Sequence, residues 1–179
     1  YCVDEYSKQI LREMNEKIIT MSLVHKKLYE SDDLSSLNLN TYLQELTYLL
    51  HGSIVSNYPN ISINYAGEDI NVVFDTVIPL GLTINELVSN SVKHAFLKDQ
   101  IGEIRIELQI GDEKEIQITY SDNGVGLPDN FSSPKDHNLG LSIITSLIKD
   151  QLLGSISIQS DKGFVCKIFI PEEVYFSRV

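Results

Sequence analysis

Cysteine is nearly absent. Cys2 and Cys166 lie far apart and match no metal-ligand spacing, so a disulfide framework is not expected and a reducing, cytoplasmic setting with two unpaired thiols is. The four histidines, His25, His51, His94 and His137, are scattered along the chain, which argues against a structural zinc site. Basic charge is also scarce: 14 Lys and Arg against 25 Asp and Glu leave a net charge of -11. That lacks the footprint of a protein whose main partner is nucleic acid or an anionic membrane. It leaves a nucleotide open, because phosphates can be met by Mg2+ and a few local donors. No apolar run approaches the roughly 20 residues of a membrane span, and no signal-peptide pattern opens the chain. Tyr1 stands where Met would, so the expectation is a piece excised from a longer parent, membrane-anchored or not.

What is present fits a soluble globular protein, with 42% hydrophobic and 22% charged residues over 179 positions. That length suits one domain with a helical appendage. Val3 to Glu30 reads as one helix, with Ile10, Met14, Met21, Val24 and Leu28 as a seam that only Lys17 interrupts. The seam needs a partner: the rest of this chain, a missing helix or a second copy, the last two being favoured. Residues 31–37 form a polar linker, and Asn38 or Asn40 caps a second helix reaching about Ser56, with Leu39, Leu43, Leu46, Leu49 and Leu50 inward. Ile61–Tyr65 and Ile70–Phe74 read as a strand pair. Pro79 is expected in or near the first turn of the next helix. Gly102–Ile110 and Glu115–Tyr120 form a hairpin, and Asn130–Asn138 is a polar loop. A helix opens at Leu139-Gly140-Leu141 and is capped by Gly154; two strands, Ser155–Ser160 and Phe164–Ile170, follow, and then a peripheral tail at 174–179. The pattern predicts an α+β fold, a two-layer α/β sandwich with a mixed sheet, preceded by one long helix. The compact domain would span 38–173.

Two stretches carry chemistry. On the helix at Ile84–Phe96, Leu87, Ser91 and Ala95 share a core stripe with Ile84, Val88 and Val92. Glu86, Asn90, Lys93 and His94 gather on the other side, a carboxylate, an amide, an amine and an imidazole able to hold a metal and a polyphosphate. The same face also suits a plain solvated helix. Asp122-x-Gly124-x-Gly126 ends a strand; it is not a dinucleotide fingerprint, since the third glycine is missing, and Asp-Asn-Gly is a common turn.

Taken in order, Glu-x3-Asn-x2-Lys-His on a helix, a hairpin, D-x-G-x-G, a polar loop and Leu-Gly-Leu at a helix start resemble the ATP-binding (GHKL, Bergerat-type) domain. Histidine kinases, type II topoisomerases, Hsp90-type chaperones and MutL proteins share it. ELVSNSVKHAF at 86–96 looks like the histidine-kinase form of the asparagine motif, and 23–46 and 138–160 resemble the HisKA_2 subfamily. The resemblance implies a sensor histidine kinase that transfers the ATP γ-phosphate to a histidine on an upstream helix absent from this chain. Residues 1–30 would be the second dimerisation helix. Asp122 would take the adenine amino group, with Gly124 and Gly126 letting the base approach. Asn90 would ligate Mg2+, Lys93 and His94 would lie near the phosphates, and Glu86 would orient metal-bound water. Gly140 and Leu141, at a helix N-terminus, would meet phosphate through backbone N–H groups, and 130–138 would be the lid. Implied partners are a response-regulator receiver domain and, in the full-length protein, a second copy of the chain.

Departures are visible too. Phe164 stands where the family commonly has a threonine beside the adenine, so it would either narrow the site or turn outward; Leu153 replaces a common glycine. No acceptor histidine precedes Val3, and His25, His51 and His137 read as structural. By this reading the chain alone binds Mg-ATP without phosphorylating itself. The rival readings are a serine kinase of the anti-sigma-factor type on the same fold, which the helix at 1–30 disfavours, and a degenerate interaction module, for which Phe164 speaks.

Overall fold

Alternation along three strands decides the architecture. In β4 (Gly102–Ile110), Ile104, Ile106 and Leu108 are buried while Arg105 and Glu107 are exposed. In β5 (Ile116–Asp122) the inward row runs Ile116, Ile118, Tyr120, Asp122, and in β7 (Phe164–Ile170) it runs Phe164, Cys166, Ile168, Ile170. Period-two burial of one face requires a cover, and helices supply it. A computed structural model of the chain describes residues 5–30, 36–55, 58–97, 100–127, 139–160 and 162–176.

The remaining elements are α1 (Glu5–Glu30), β1 (Leu37–Asn38), α2 (Leu39–Val55), β2 (Ile61–Gly67), β3 (Asn71–Val72), α3 (Phe74–Asn90), α4 (Leu139–Ser146), β6 (Ser155–Ser160) and α5 (Glu172–Tyr175). α3 runs on into a π turn at Ser91–Ala95 and α4 into another at Leu147–Gln151. The sheet order is β2-β4-β5-β7-β6, with α2, α3 and α4 packed over one face. Val77, Leu80, Ile84 and Leu87 of α3 and Ile144 and Ile148 beyond them close on the inward strand rows. The expected α+β sandwich with a mixed sheet is therefore the observed one.

Several local expectations are corrected. Ile61–Gly67 does not pair with the segment after it: β2 runs parallel to β4, Ile61 opposite Gly102 and Gly67 opposite Leu108. The short β3 pairs instead with β1, because the intervening turn is spent on α2: Asp69 accepts from the amides of Asn38 and Asn40 at 3.1 and 3.0 Å. Asn38 caps α2, its Oδ1 accepting from Thr41 N–H at 2.9 Å. Leu49 is exposed, and Tyr42 is fully buried in the face it was assigned to. Pro79 lies inside α3 beyond its first turn, since Val73 is already anchored by its N–H to the carbonyl of Tyr175 at 3.0 Å. Tyr175, expected in the peripheral tail, is buried and donates to the carbonyl of Lys114.

The seam of α1 divides. Thr20, Leu23 and Val24 are buried against α3 and α2, so part of the helix packs on its own chain rather than only on a missing helix or a second copy. Leu11, Met14, Ile18 and Met21 remain exposed.

At the end of the second π turn it is Leu153, at φ +47°, and not Gly154, that takes the left-handed conformation. This costs a side chain roughly 1 kcal/mol. Leu153 is 70% exposed, so its truncation loses little packing. Leu153→Gly is expected to raise the melting temperature by about 2–4 °C in calorimetry, less the entropy glycine adds to the unfolded chain. A lowered midpoint would show that the side chain contributes packing here.

Candidate functional site

The inward row of β5 is apolar until its last member. Asp122 is there because the alternation places it, and only 6% of it is exposed. A buried carboxylate needs donors. Its Oδ1 accepts from the backbone N–H of Gly124 at 2.9 Å and of Phe164 at 3.3 Å. Its Oδ2 accepts from Ser91 Oγ at 2.6 Å. Behind it, the Tyr120 hydroxyl lies 2.7 Å from Ser91 Oγ and 3.1 Å from the Leu87 carbonyl. Burial pushes the Tyr120 phenol well above its usual range, so it stays a neutral donor. Phe164 turns inward: its ring meets Tyr120 edge-on, centroids 6.2 Å apart at 68°, and its backbone faces Asp122. Next to this network the Cys166 thiol is buried and pushed up to about 12, hence inert.

The D-x-G-x-G run is a fixed shelf. Val125 N–H donates to the Ala95 carbonyl at 2.8 Å and Leu127 N–H to Ser160 Oγ at 2.8 Å. A Cβ on Gly124 would come within 2.4 Å of the Ala95 carbonyl oxygen, which only glycine avoids. Gly126 holds φ +75°. The stretch is a turn locked against the π segment.

On α3, Glu86 and Asn90 are brought together with Gly140. The first turn of α4 comes so close that a Cβ on Gly140 would lie 2.3 Å from Glu86 Oε1 and 3.2 Å from Asn90 Nδ2. Glu86 Oε2 is 3.1 Å from Lys17 Nζ on α1. One residue earlier, Asn85 Nδ2 donates to Thr20 Oγ1 at 2.7 Å in a buried contact. Asn90 Nδ2 is buried and has no hydrogen-bond partner among the described residues. The 3.6 period used to group Glu86, Asn90, Lys93 and His94 holds only as far as Asn90, because a π turn begins at Ser91. Lys93 is half-buried and His94 exposed on that turn. Leu141 is buried in the core. His25 is exposed on α1 and His51 half-buried on α2, neither near this site in sequence. His137, Cys2 and the expected lid at 130–138 lie outside the described residues. No cluster of His, Cys, Asp and Glu suited to a metal occurs among the described residues, and no described helix is long and apolar enough to cross a membrane.

Two participants escaped the sequence reading. Ser91 was assigned to the core stripe; the signal was a hydroxyl at an apolar position. Lys17 was an interruption in a seam; the signal was that interruption.

A family model described as "Histidine kinase-, DNA gyrase B-, and HSP90-like ATPase" matches residues 75–174, and a HisKA_2 histidine kinase model matches residues 1–54. The chain is 29% identical over 156 residues to the sensor histidine kinase PdtaS of Mycolicibacterium smegmatis, covering 87% of this chain and 31% of that protein. It therefore spans about a third of that relative's length. A shorter match, 37% identical over 51 residues, is to the serine-protein kinase RsbW of Listeria innocua, covering 28% of this chain and 32% of that one. The histidine kinase domain of an Erythrobacter litoralis blue-light activated histidine kinase superposes with a TM-score of 0.79 at 20% identity, covering 89% of this chain and 74% of that one. At that identity the likeness speaks for the fold.

Proposed function

The chain belongs to the family of histidine kinase-, DNA gyrase B- and HSP90-like ATPases, and from that premise we propose that it binds Mg-ATP and serves a histidine kinase as its catalytic domain. The phosphoryl group would go to a histidine on a helix upstream of residue 1 and then to a receiver-domain aspartate. The observation that supports this most is that two consecutive residues, Asn90 and Ser91, face two different polar groups of the chain. Ser91 donates to the buried carboxylate of Asp122, while Asn90 lies against the first turn of α4, its buried Nδ2 without a hydrogen-bond partner among the described residues.

In this reading Asp122 accepts from the adenine amino group, and the shelf at Gly124 and Gly126 lies along the base. Asn90 would hold Mg2+ through its side-chain oxygen: the group left without a partner among the described residues is the Nδ2 donor, and exchanging the two ends of the amide would put the oxygen in that position. Mg2+ when bound neutralises phosphate charge. Lys93 and His94 approach the phosphates as charge and donor, and the N–H groups of the first turn of α4, at Gly140 and Leu141, meet phosphate oxygens. Glu86, held by Lys17, stands beside Asn90 as a positioning carboxylate. The chain thus contributes orientation and charge more than covalent chemistry. A second copy in the full-length protein and a cytoplasmic location belong to the same reading.

The match to a serine-protein kinase supports a second reading, with serine as acceptor; the HisKA_2 match over residues 1–54 weighs against it. The degenerate-module reading keeps Phe164 as its support, since the side chain is turned inward beside Asp122, the case in which it would narrow the site; absence of Mg-ATP binding at millimolar nucleotide would favour that reading. The test is to restore the upstream helix and supply Mg-ATP labelled at the γ-phosphate. Acid-labile label on that helix is expected. Acid-stable label on a serine of a partner protein would favour the second reading, and label on His25 would overturn the placement of the acceptor.

A further inference from the structure

The Asp122 network contains a hydroxyl that the ATP-binding reading does not use. An ionised carboxylate offers about four acceptor sites and no donor. Three of Asp122's are taken, two on Oδ1 by Gly124 and Phe164 and one on Oδ2 by Ser91. The direction of each proton follows. Ser91 must donate to Asp122, because the carboxylate cannot donate to it. The single Tyr120 proton goes to Ser91 Oγ or to the Leu87 carbonyl. Ser91 is 4% exposed and Tyr120 fully buried, so water does not stand in for either. One acceptor direction is left, on Oδ2, and no donor in the cluster is free to turn toward a ligand.

We propose that Ser91 is a positioning residue that sets base specificity: by occupying one side of Asp122 Oδ2 it leaves a single acceptor that admits an amino group and rejects a carbonyl. The inference rests on the ATP-binding reading and deepens it. A base with an oxo group at the corresponding position meets acceptor with acceptor, and the committed Ser91 proton offers no relief. With alanine at 91, the vacated oxygen position admits a water that can turn to donate or accept, and the carboxylate gains freedom to swing. When Tyr120 donates to Ser91 Oγ, the shorter of its two contacts, it polarises the serine hydroxyl and strengthens its hold on Asp122.

The experiment compares ATP with inosine triphosphate, which differ at purine position 6 as amino against oxo and at N1 as acceptor against N–H donor; the N1 difference is the same for every variant, so the change in the affinity ratio on substitution is the readout. Affinities of both, with Mg2+, are measured by calorimetry for the wild type, Ser91→Ala and Tyr120→Phe. The wild type is expected to prefer ATP by about 100-fold or more, since a site built for a donor rejects its absence strongly. In Ser91→Ala that ratio should fall at least tenfold, and in Tyr120→Phe by a smaller factor in the same direction. If both variants keep the wild-type ratio, or Ser91→Ala weakens both nucleotides equally, Ser91 is a packing residue and the inference is overturned. If Ser91→Ala does not fold, the Tyr120→Phe ratio decides alone. If the wild type binds neither nucleotide, the ATP-binding reading has itself failed, which is a different result from an unchanged ratio.

Discussion

Asp122→Asn is expected to weaken Mg-ATP binding by on the order of 100-fold or more while leaving the fold intact. The asparagine keeps the shape, and its carbonyl oxygen can still accept from the N–H groups of Gly124 and Phe164. Its amide then takes the place of Oδ2, and Ser91 Oγ can accept from it where it previously donated. The change is tolerated internally, so circular dichroism and the apo melting temperature should stay close to wild type. Toward the ligand it is not tolerated. A charge-assisted acceptor worth roughly 1.5–3 kcal/mol is replaced by a donor facing the donor of the base. An unchanged dissociation constant would show that the base is held elsewhere.

Asn90→Ala separates binding from stability in a different way. The buried Nδ2 of Asn90 has no partner among the described residues, so deleting it removes no hydrogen bond seen there. The apo protein should melt at the wild-type temperature or slightly higher. Ligand stabilisation should vanish. At 100 times its dissociation constant a ligand contributes about 2.7 kcal/mol. For a domain of this size that corresponds to about 5–10 °C, and the wild type should show it with Mg-ATP. The alanine variant should show almost none, and adding excess chelator to the wild type should reproduce much of the loss. A full thermal shift in Asn90→Ala would remove this residue from the site.

Much of the framework could be read from periodicity. Gly102–Ile110 and Phe164–Ile170 have the boundaries that their alternation predicts, and Asn38 caps the helix it was expected to cap. The partner of β2 could not be read, because parallel pairing across 40 residues leaves no local pattern, while an adjacent turn invites a hairpin. The π turn was hidden for a related reason. Leu87, Ser91 and Ala95 at spacing four fit an uninterrupted α-helix, and all three are buried on either account. At the site, Asp122, Asn90 and Gly140 stood out as residue types in a characteristic order. Ser91 and Lys17 did not, because what they touch, Asp122 and Glu86, lies 31 and 69 residues away. Their roles belong to tertiary structure.

The grip of α1 on α3 has a mechanical side. Asn85 and Glu86, successive residues of α3, hold Thr20 and Lys17, one turn apart on α1. Pulling the two helices apart strands a buried amide, which costs about 1–3 kcal/mol if left unpaired, and releases Glu86 from its counter-charge. Intermediate displacements are no cheaper, because a buried hydrogen bond at 2.7 Å tolerates little stretch before it is lost. The buried Asn85–Thr20 bond thus fixes the crossing of the two helices at one point, and the partly exposed Lys17–Glu86 pair sits one turn along from it.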